Sequence, residues 1–120
     1  CKGLRLIMHR ANKAVQKTDK DLYIFKDLVH NKQAHDRLLA MGAKAQVFNV
    51  SDVPHGSRVL VGPHSAPASV LNELRKTSTL VDTSCYDVLK VPKAAKRLVQ
   101  NRCDTIVFVG KQDHEEAELV

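Results

Sequence analysis

The stretch VLVGPHSAPASVLNELRKTSTLVDTSC, residues 59–85, decides the fold. It opens on Val59-Leu60-Val61, a short β-branched apolar run closed by Gly62-Pro63, which reads as a buried strand. Helical spacing follows at Val70, Leu71 and Leu74, entered through Ser65 and Pro67. A second apolar run, Leu80-Val81, is closed by Asp82-Thr83-Ser84-Cys85. Strand, polar loop, helix, strand is the repeating unit of a parallel sheet joined by right-handed crossovers.

The same alternation extends in both directions. Leu22–Phe25, Gln46–Phe48 and Thr105–Val109 have the length and composition of buried strands. Leu4, Ile7, Met8, Ala11 and Val15 follow helical spacing, as do Ala34, Leu38 and Met41, with Asn31 placed as N-cap and Gly42 as the C-terminal stop. Val88, Val91, Ala95, Leu98 and Val99 mark a fourth helix, with Pro92 in its first turns or at a kink. The pattern predicts an α/β fold: a three-layer αβα arrangement with a mostly parallel sheet. Residues 1–85 form an N-terminal lobe, and residues 86–120 open a second, similar lobe that is cut short.

A chain of 120 residues that is 43% hydrophobic and 27% charged matches an ordinary soluble domain. It has no apolar run of the ~20 residues that a membrane span needs and no signal-peptide pattern, so a cytoplasmic location is expected. Nineteen basic against thirteen acidic residues give +6, a balance that attracts anions of several kinds. The cations are scattered and only two tyrosines and three phenylalanines are available to stack on bases, so no nucleic-acid surface is marked. Three cysteines are too few, and an odd number, for a disulfide scaffold; reduced, reactive or metal-bound thiols fit better.

Parallel sheets bind ligands beyond the carboxyl ends of their strands. The residues that follow the expected strands include His30, His64, Cys85, and the pair His114 and Glu116. His9, His35 and His55 fall in helices or in a turn before a strand, and receive no role. Cys1 and Cys85 each precede a helix, where N–H groups and the helix dipole favour a thiolate. Cys103 precedes the expected strand at 105–109, which places it at the opposite edge of the sheet as a structural or surface thiol. Residue chemistry alone leaves two readings of Cys85, a ligand or a small apolar residue in a tight turn. It likewise leaves Glu116 as an acid or base of a site or a solvated member of the acidic run HEEAE.

Four segments, VHNKQAHDRLLAMGA (29–43), GPHSAPASV (62–70), VDTSCYDVLKV (81–91) and VGKQDHEE (109–116), together with the opening CKGL, resemble in order and separation the LytB-type 4-hydroxy-3-methylbut-2-enyl diphosphate reductase family. Its corresponding patterns are V-V-H-N, S-A-H-G, D-A-T-C-P with K-V-H, G-H-P-E and C-x-G-V. The resemblance implies an iron–sulfur reductase of isoprenoid precursor synthesis. Such an enzyme reductively dehydroxylates its diphosphate substrate to isopentenyl and dimethylallyl diphosphate. It implies Cys1 and Cys85 as two ligands of a [4Fe–4S] cluster, with the third cysteine outside this chain. By the same resemblance His30, His64 and His114 line the diphosphate pocket, and His114 and Glu116 serve catalysis, Glu116 in the proton relay. Imidazoles supply both N–H donors and positive charge to an anion, and a carboxyl group beside negative charge holds a proton near neutrality.

The resemblance further implies a ferredoxin- or flavodoxin-type electron donor, and a plastid location if the source is a plant or alga. It covers nearly the whole chain but less than half of such an enzyme, so the chain reads as a fragment, inactive alone and lacking the strand before Cys1. Pro63, Ser65, Tyr86, Pro92 and Glu115 depart from the family patterns, and these changes bear on substrate fit more than on fold. They motivate an alternative: a non-catalytic α/β domain that binds a phosphorylated ligand or a protein partner.

Overall fold

The computed structural model describes residues 2–17, 19–26, 32–110 and 119, with the backbone alone for residues 2–4 and 6. The elements run α1 (Lys2–Gln16), β1 (Leu22–Phe25), α2 (Lys32–Ala40), β2 (Gln46–Val47), a 3-10 turn (Val50–Asp52), β3 (Arg58–Val61), α3 (Ala68–Thr77), β4 (Thr79–Asp82) and α4 (Tyr86–Gln100). The strands form one sheet in the order β2-β1-β3-β4, and every pairing is parallel. The alternating pattern of residues 59–85 therefore folds as its sequence predicts, and the sheet is parallel throughout.

Side-chain alternation along the two central strands divides the core into two layers. Leu22 and Ile24 of β1 and Leu60 of β3 face α1 and α2, packing with Ile7, Ala11, Ala14, Val15 and Leu38. Phe25, Val59 and Val61 face the opposite side, against Leu74 of α3, Val53 and Ala66. All four residues of β3 are buried, which is why Val59-Leu60-Val61 is a continuous apolar run instead of an alternating one. Burial of one such leucine or valine contributes about 1.5–3 kcal/mol, and the two sets of side chains clamp the sheet into three layers.

Arg58, the first residue of β3, interrupts the apolar pattern and is nevertheless 6% exposed. Its Nη1 donates to the Ala14 carbonyl at 2.7 Å, and its Nε and Nη2 donate to Lys20 O at 3.0 and 2.7 Å. Nη2 also donates to Lys17 O. The guanidinium thus takes up carbonyls at the C-terminal end of α1 and in the following loop, Ala14 O accepting Lys17 N–H as well, and it fixes the α1–β1 connection on the sheet.

Helix α2 stops as predicted at Gly42, whose φ of +119° lies in the left-handed region. Gly42 N–H donates to Leu39 O at 3.0 Å and Ala43 N–H to Leu38 O at 3.1 Å, the paired closure of a Schellman motif. Helix α4 ends in the same way: Arg102 N–H donates to Val99 O and Cys103 N–H to Leu98 O, with Arg102 at φ +56°. The Asn31 cap lies outside the described residues.

One expectation is overturned. Residues 105–109 form no strand; they are exposed, with Val107 at 78% and Val109 at 91%. A β-branched run reports a tendency that becomes a strand only against a paired neighbour, and among the described residues none pairs with it. The placement of Cys103 at the far edge of the sheet rested on that strand and falls with it. Cys103 is an exposed thiol just past the end of α4.

Candidate functional site

The carboxyl ends of the three neighbouring strands β1, β3 and β4 are level, since Phe25 pairs with Val61 and Val61 with Asp82. From β1 the chain crosses through α2 to β2 on one flank of the sheet. From β3 it crosses through α3 to β4 on the other. The order therefore reverses between β1 and β3, and the crevice beyond that point is where parallel sheets place ligands.

Lys26 carries the chain out of β1 at φ +54°. Its N–H donates to Val47 O at 2.8 Å, and its carbonyl accepts Gln46 Nε2 at 3.1 Å. His30 follows, outside the described residues, as do Cys1, His114 and Glu116. The structure thus describes two of the expected site residues, His64 and Cys85.

His64 and Cys85 are each the third residue past their strand, after Val61 and Asp82 respectively. Their loops are bonded to each other: Cys85 N–H donates to Pro63 O at 2.9 Å. Thr83, 1% exposed, donates both its N–H (3.0 Å) and its hydroxyl (2.6 Å) to Val61 O. The Asp82 carboxylate accepts Ser84 N–H at 2.8 Å and the Ser84 hydroxyl. Thr83, Ser84 and Cys85 thus turn from strand to helix, each with its N–H hydrogen-bonded. Cys85 caps α4, its carbonyl accepting Leu89 N–H at 3.1 Å, and its half-buried thiol is in no disulfide. The positive end of the helix dipole suits a negatively charged sulfur ligand there. His64 is half-buried, with Nδ1 withdrawn from solvent.

Ser65, next to His64, has φ +63°. This is the left-handed region that glycine occupies without cost, so the position demands what the resemblance expects there, while the chain supplies serine. Beyond Cys85, Tyr86 is 68% exposed, with Lys90 Nζ 4.8 Å and Lys93 Nζ 5.8 Å from its ring centre. A 2.6 Å hydrogen bond to Asp87, with that residue's charge, holds the Lys90 ammonium above its ordinary pKa. The rim of the crevice therefore carries an aromatic ring and two ammonium groups where a proline was expected.

Sequence reasoning missed Thr83, Lys26 and Arg58. Thr83 had a legible signal, a hydroxyl residue between a buried strand and a helix, where side chains bond to nearby backbone. A lysine at positive φ and an arginine at the head of an apolar strand carry no such signal.

Among the described residues, no three His, Cys, Asp or Glu side chains gather to hold a metal ion. Cys85 is the described member of the expected ligand set. A free, half-buried thiol on a main-chain-tied turn fits the part of one cluster ligand.

Fold and site together define a class: a parallel α/β domain with a switch point between β1 and β3, presenting a free thiol and an imidazole on adjoining, hydrogen-bonded loops at the carboxyl edge. The family model described as LytB protein matches residues 1–120. The chain belongs to the LytB protein family. The 4-hydroxy-3-methylbut-2-enyl diphosphate reductase of Chlamydia muridarum (strain MoPn / Nigg) is 30% identical over 117 residues, covering 97% of this chain and 37% of that protein. The reductase of the same name from Rhodococcus jostii (strain RHA1) is 29% identical over 119 residues, covering 98% and 35%. The chain therefore spans little more than a third of these relatives. A solved structure of (E)-4-hydroxy-3-methyl-but-2-enyl diphosphate reductase, the terminal enzyme of the non-mevalonate pathway, superposes with a TM-score of 0.85 at 24% identity, covering 98% of this chain and 41% of the other. The Plasmodium falciparum E-1-hydroxy-2-methyl-but-2-enyl-4-diphosphate reductase gives 0.84 at 23%, covering 97% and 36%. At these identities the two likenesses establish the fold.

Proposed function

We propose that this chain contributes the first lobe, and the opening of a second lobe from residue 86, to an iron–sulfur reductase that dehydroxylates 4-hydroxy-3-methylbut-2-enyl diphosphate to isopentenyl and dimethylallyl diphosphate. The observation that carries the reading is the main-chain bond between the Pro63-His64 loop and the Cys85 turn, at the carboxyl edge of a sheet whose whole chain matches LytB. Cys85 and Cys1 would hold a [4Fe–4S] cluster together with a cysteine from beyond this chain. When bound, that cluster supplies the electrons of the reduction.

The chain's own residues have separable tasks. His64, with His30 and His114, binds the diphosphate through imidazole N–H groups, and the level strand ends orient it across the crevice. Glu116 holds the proton that leaves with the hydroxyl, and His114 assists in catalysis. The half-buried setting of His64 and Cys85 limits the water that competes for these contacts. A ferredoxin- or flavodoxin-type donor supplies electrons to the assembled protein, in the cytoplasm or, in a plant or alga, the plastid. No helix among the described residues is long and apolar enough to cross a membrane.

Anaerobic reconstitution of the full-length parent tests the assignment. Cys85→Ser should abolish the brown cluster absorbance, whereas His64→Gln should keep it and raise KM for the diphosphate. A complete cluster in Cys85→Ser would remove Cys85 from the ligand set. Tight diphosphate binding by an iron-free parent without turnover would favour the non-catalytic reading.

A further inference from the structure

A groove of about 380 Å³ runs along β4, the strand at the open end of the sheet. Its apolar part on the α1 side comes from Ala14 and Val81, Leu80 packing on the α3 side, and its wall is basic, from Arg10, Lys13 and Lys17 of α1. Thr79 N–H donates to Ser57 O and Thr83 N–H to Val61 O, so the odd-numbered residues of β4 face β3. Leu80 and Asp82 therefore turn their N–H and C=O groups outward, and among the described residues no strand pairs with them. Natural edges are usually blunted by short length, charge, proline or a bulge; Thr79–Asp82 is four residues long and carries charge only at its last position, Asp82.

The wall has a spacing that fits such an edge. At a rise of about 1.5 Å per residue, Lys13 and Lys17 stand roughly 6 Å apart along α1. Alternate side chains of an extended strand stand about 6.6 Å apart. Arg10, Lys13 and Lys17 make no ion pair among the described residues. Two carboxylates, Asp19 and Asp82, share the lining with four cations, Arg10, Lys13, Lys17 and Arg58, so its net charge stays positive. The groove thus offers strand hydrogen bonds on one side and an excess of positive charge on the other.

We propose that this edge docks an extended segment of a separate protein, added to β4 as a further strand with acidic side chains at alternate positions facing α1. Charge complementarity to Arg10, Lys13 and Lys17 selects an acidic occupant, and the outward amides of Leu80 and Asp82 select a polypeptide in strand form. The groove meets the Cys85 turn at Asp82, and the proposal does not depend on the reductase reading.

The test is titration of the 120-residue chain with a fluorescein-labelled peptide alternating glutamate and valine, followed by anisotropy and amide hydrogen exchange. Saturable binding is expected, with slowed exchange at Leu80 and Asp82. Affinity should fall at least tenfold in the Arg10→Glu/Lys13→Glu double variant and for a peptide N-methylated at alternate residues. Equal binding of the N-methylated peptide, equal binding of a lysine–valine peptide, or tighter binding of an oligothymidylate would overturn the proposal. So would concentration-dependent protection of the same amides without peptide, which would make the occupant a second copy. Protection of those amides in a longer parent protein without peptide would make the occupant internal and overturn it equally.

Discussion

Replacing Arg58 by methionine should remove about 3–6 kcal/mol of stability, the worth of two charge-assisted hydrogen bonds. The side chain is 7% exposed, and its four donor contacts reach three carbonyls, those of Ala14, Lys17 and Lys20. A hydrogen bond to a charged group contributes about 1.5–3 kcal/mol, so simple addition gives roughly 6–12. The loss is smaller because methionine needs no desolvation and the freed loop carbonyls reach water. Asp19 decides little: it is 67% exposed and 3.8 Å away, a geometry that contributes under about 1 kcal/mol. Asp19→Asn should therefore be nearly silent, and Arg58→Lys, with one compact ammonium in place of a fork, should fall between. Urea melts of the 120-residue chain read these differences as shifts in midpoint at constant slope, and amide exchange in the last turn of α1 should accelerate in Arg58→Met. Equal losses in Asp19→Asn and Arg58→Met, or a loss below about 1 kcal/mol in the latter, would refute the view that carbonyl capture carries the interaction.

Ser65→Gly should raise stability by about 1 kcal/mol, since φ at this residue is +63° and glycine adopts it without strain; an unchanged thermal midpoint would count against strain there. Gly42→Ala should lower stability by about 1 kcal/mol: the added Cβ meets only Val15 Cγ1 at 3.9 Å, an ordinary contact, so the cost comes from φ +119° alone. Thr83→Val deletes one of two bonds to Val61 O and should cost about 1 kcal/mol, with faster alkylation of Cys85 as its turn loosens.

The layered fold was legible because its signals are local. The run Val59-Leu60-Val61 is apolar without interruption because both faces of β3 are buried, and Gly42 marks a helix end because only glycine enters that turn freely. Residues 105–109 are as apolar and β-branched as Val59-Leu60-Val61 and form no strand, since pairing depends on a neighbour that composition cannot supply. The edge character of β4 was equally invisible: Leu80-Val81 reads like a central strand, and only the sheet order shows one side unpaired. Of the site, His64 and Cys85 were legible from their positions after apolar runs. The bonds that hold them join backbone atoms about twenty residues apart, and no residue type announces those.

That last point explains how the site tolerates its own departures from the family pattern. Pro63 and Ser65 differ on one loop and Tyr86 on the next, yet the tie between the loops runs from Cys85 N–H to Pro63 O, and a second from Thr83 N–H to Val61 O. Main-chain donors and acceptors survive side-chain replacement, so these positions can vary while the cysteine turn stays in register with β3. What varies is the lining, through a strained serine beside His64 and a lysine-flanked tyrosine beside Cys85. β3 holds the chain at both ends, Arg58 fixing α1 at the amino end and Val61 O fixing the thiol turn at the other. A change of chemistry at this crevice therefore enters through the rim residues and not through displacement of Cys85.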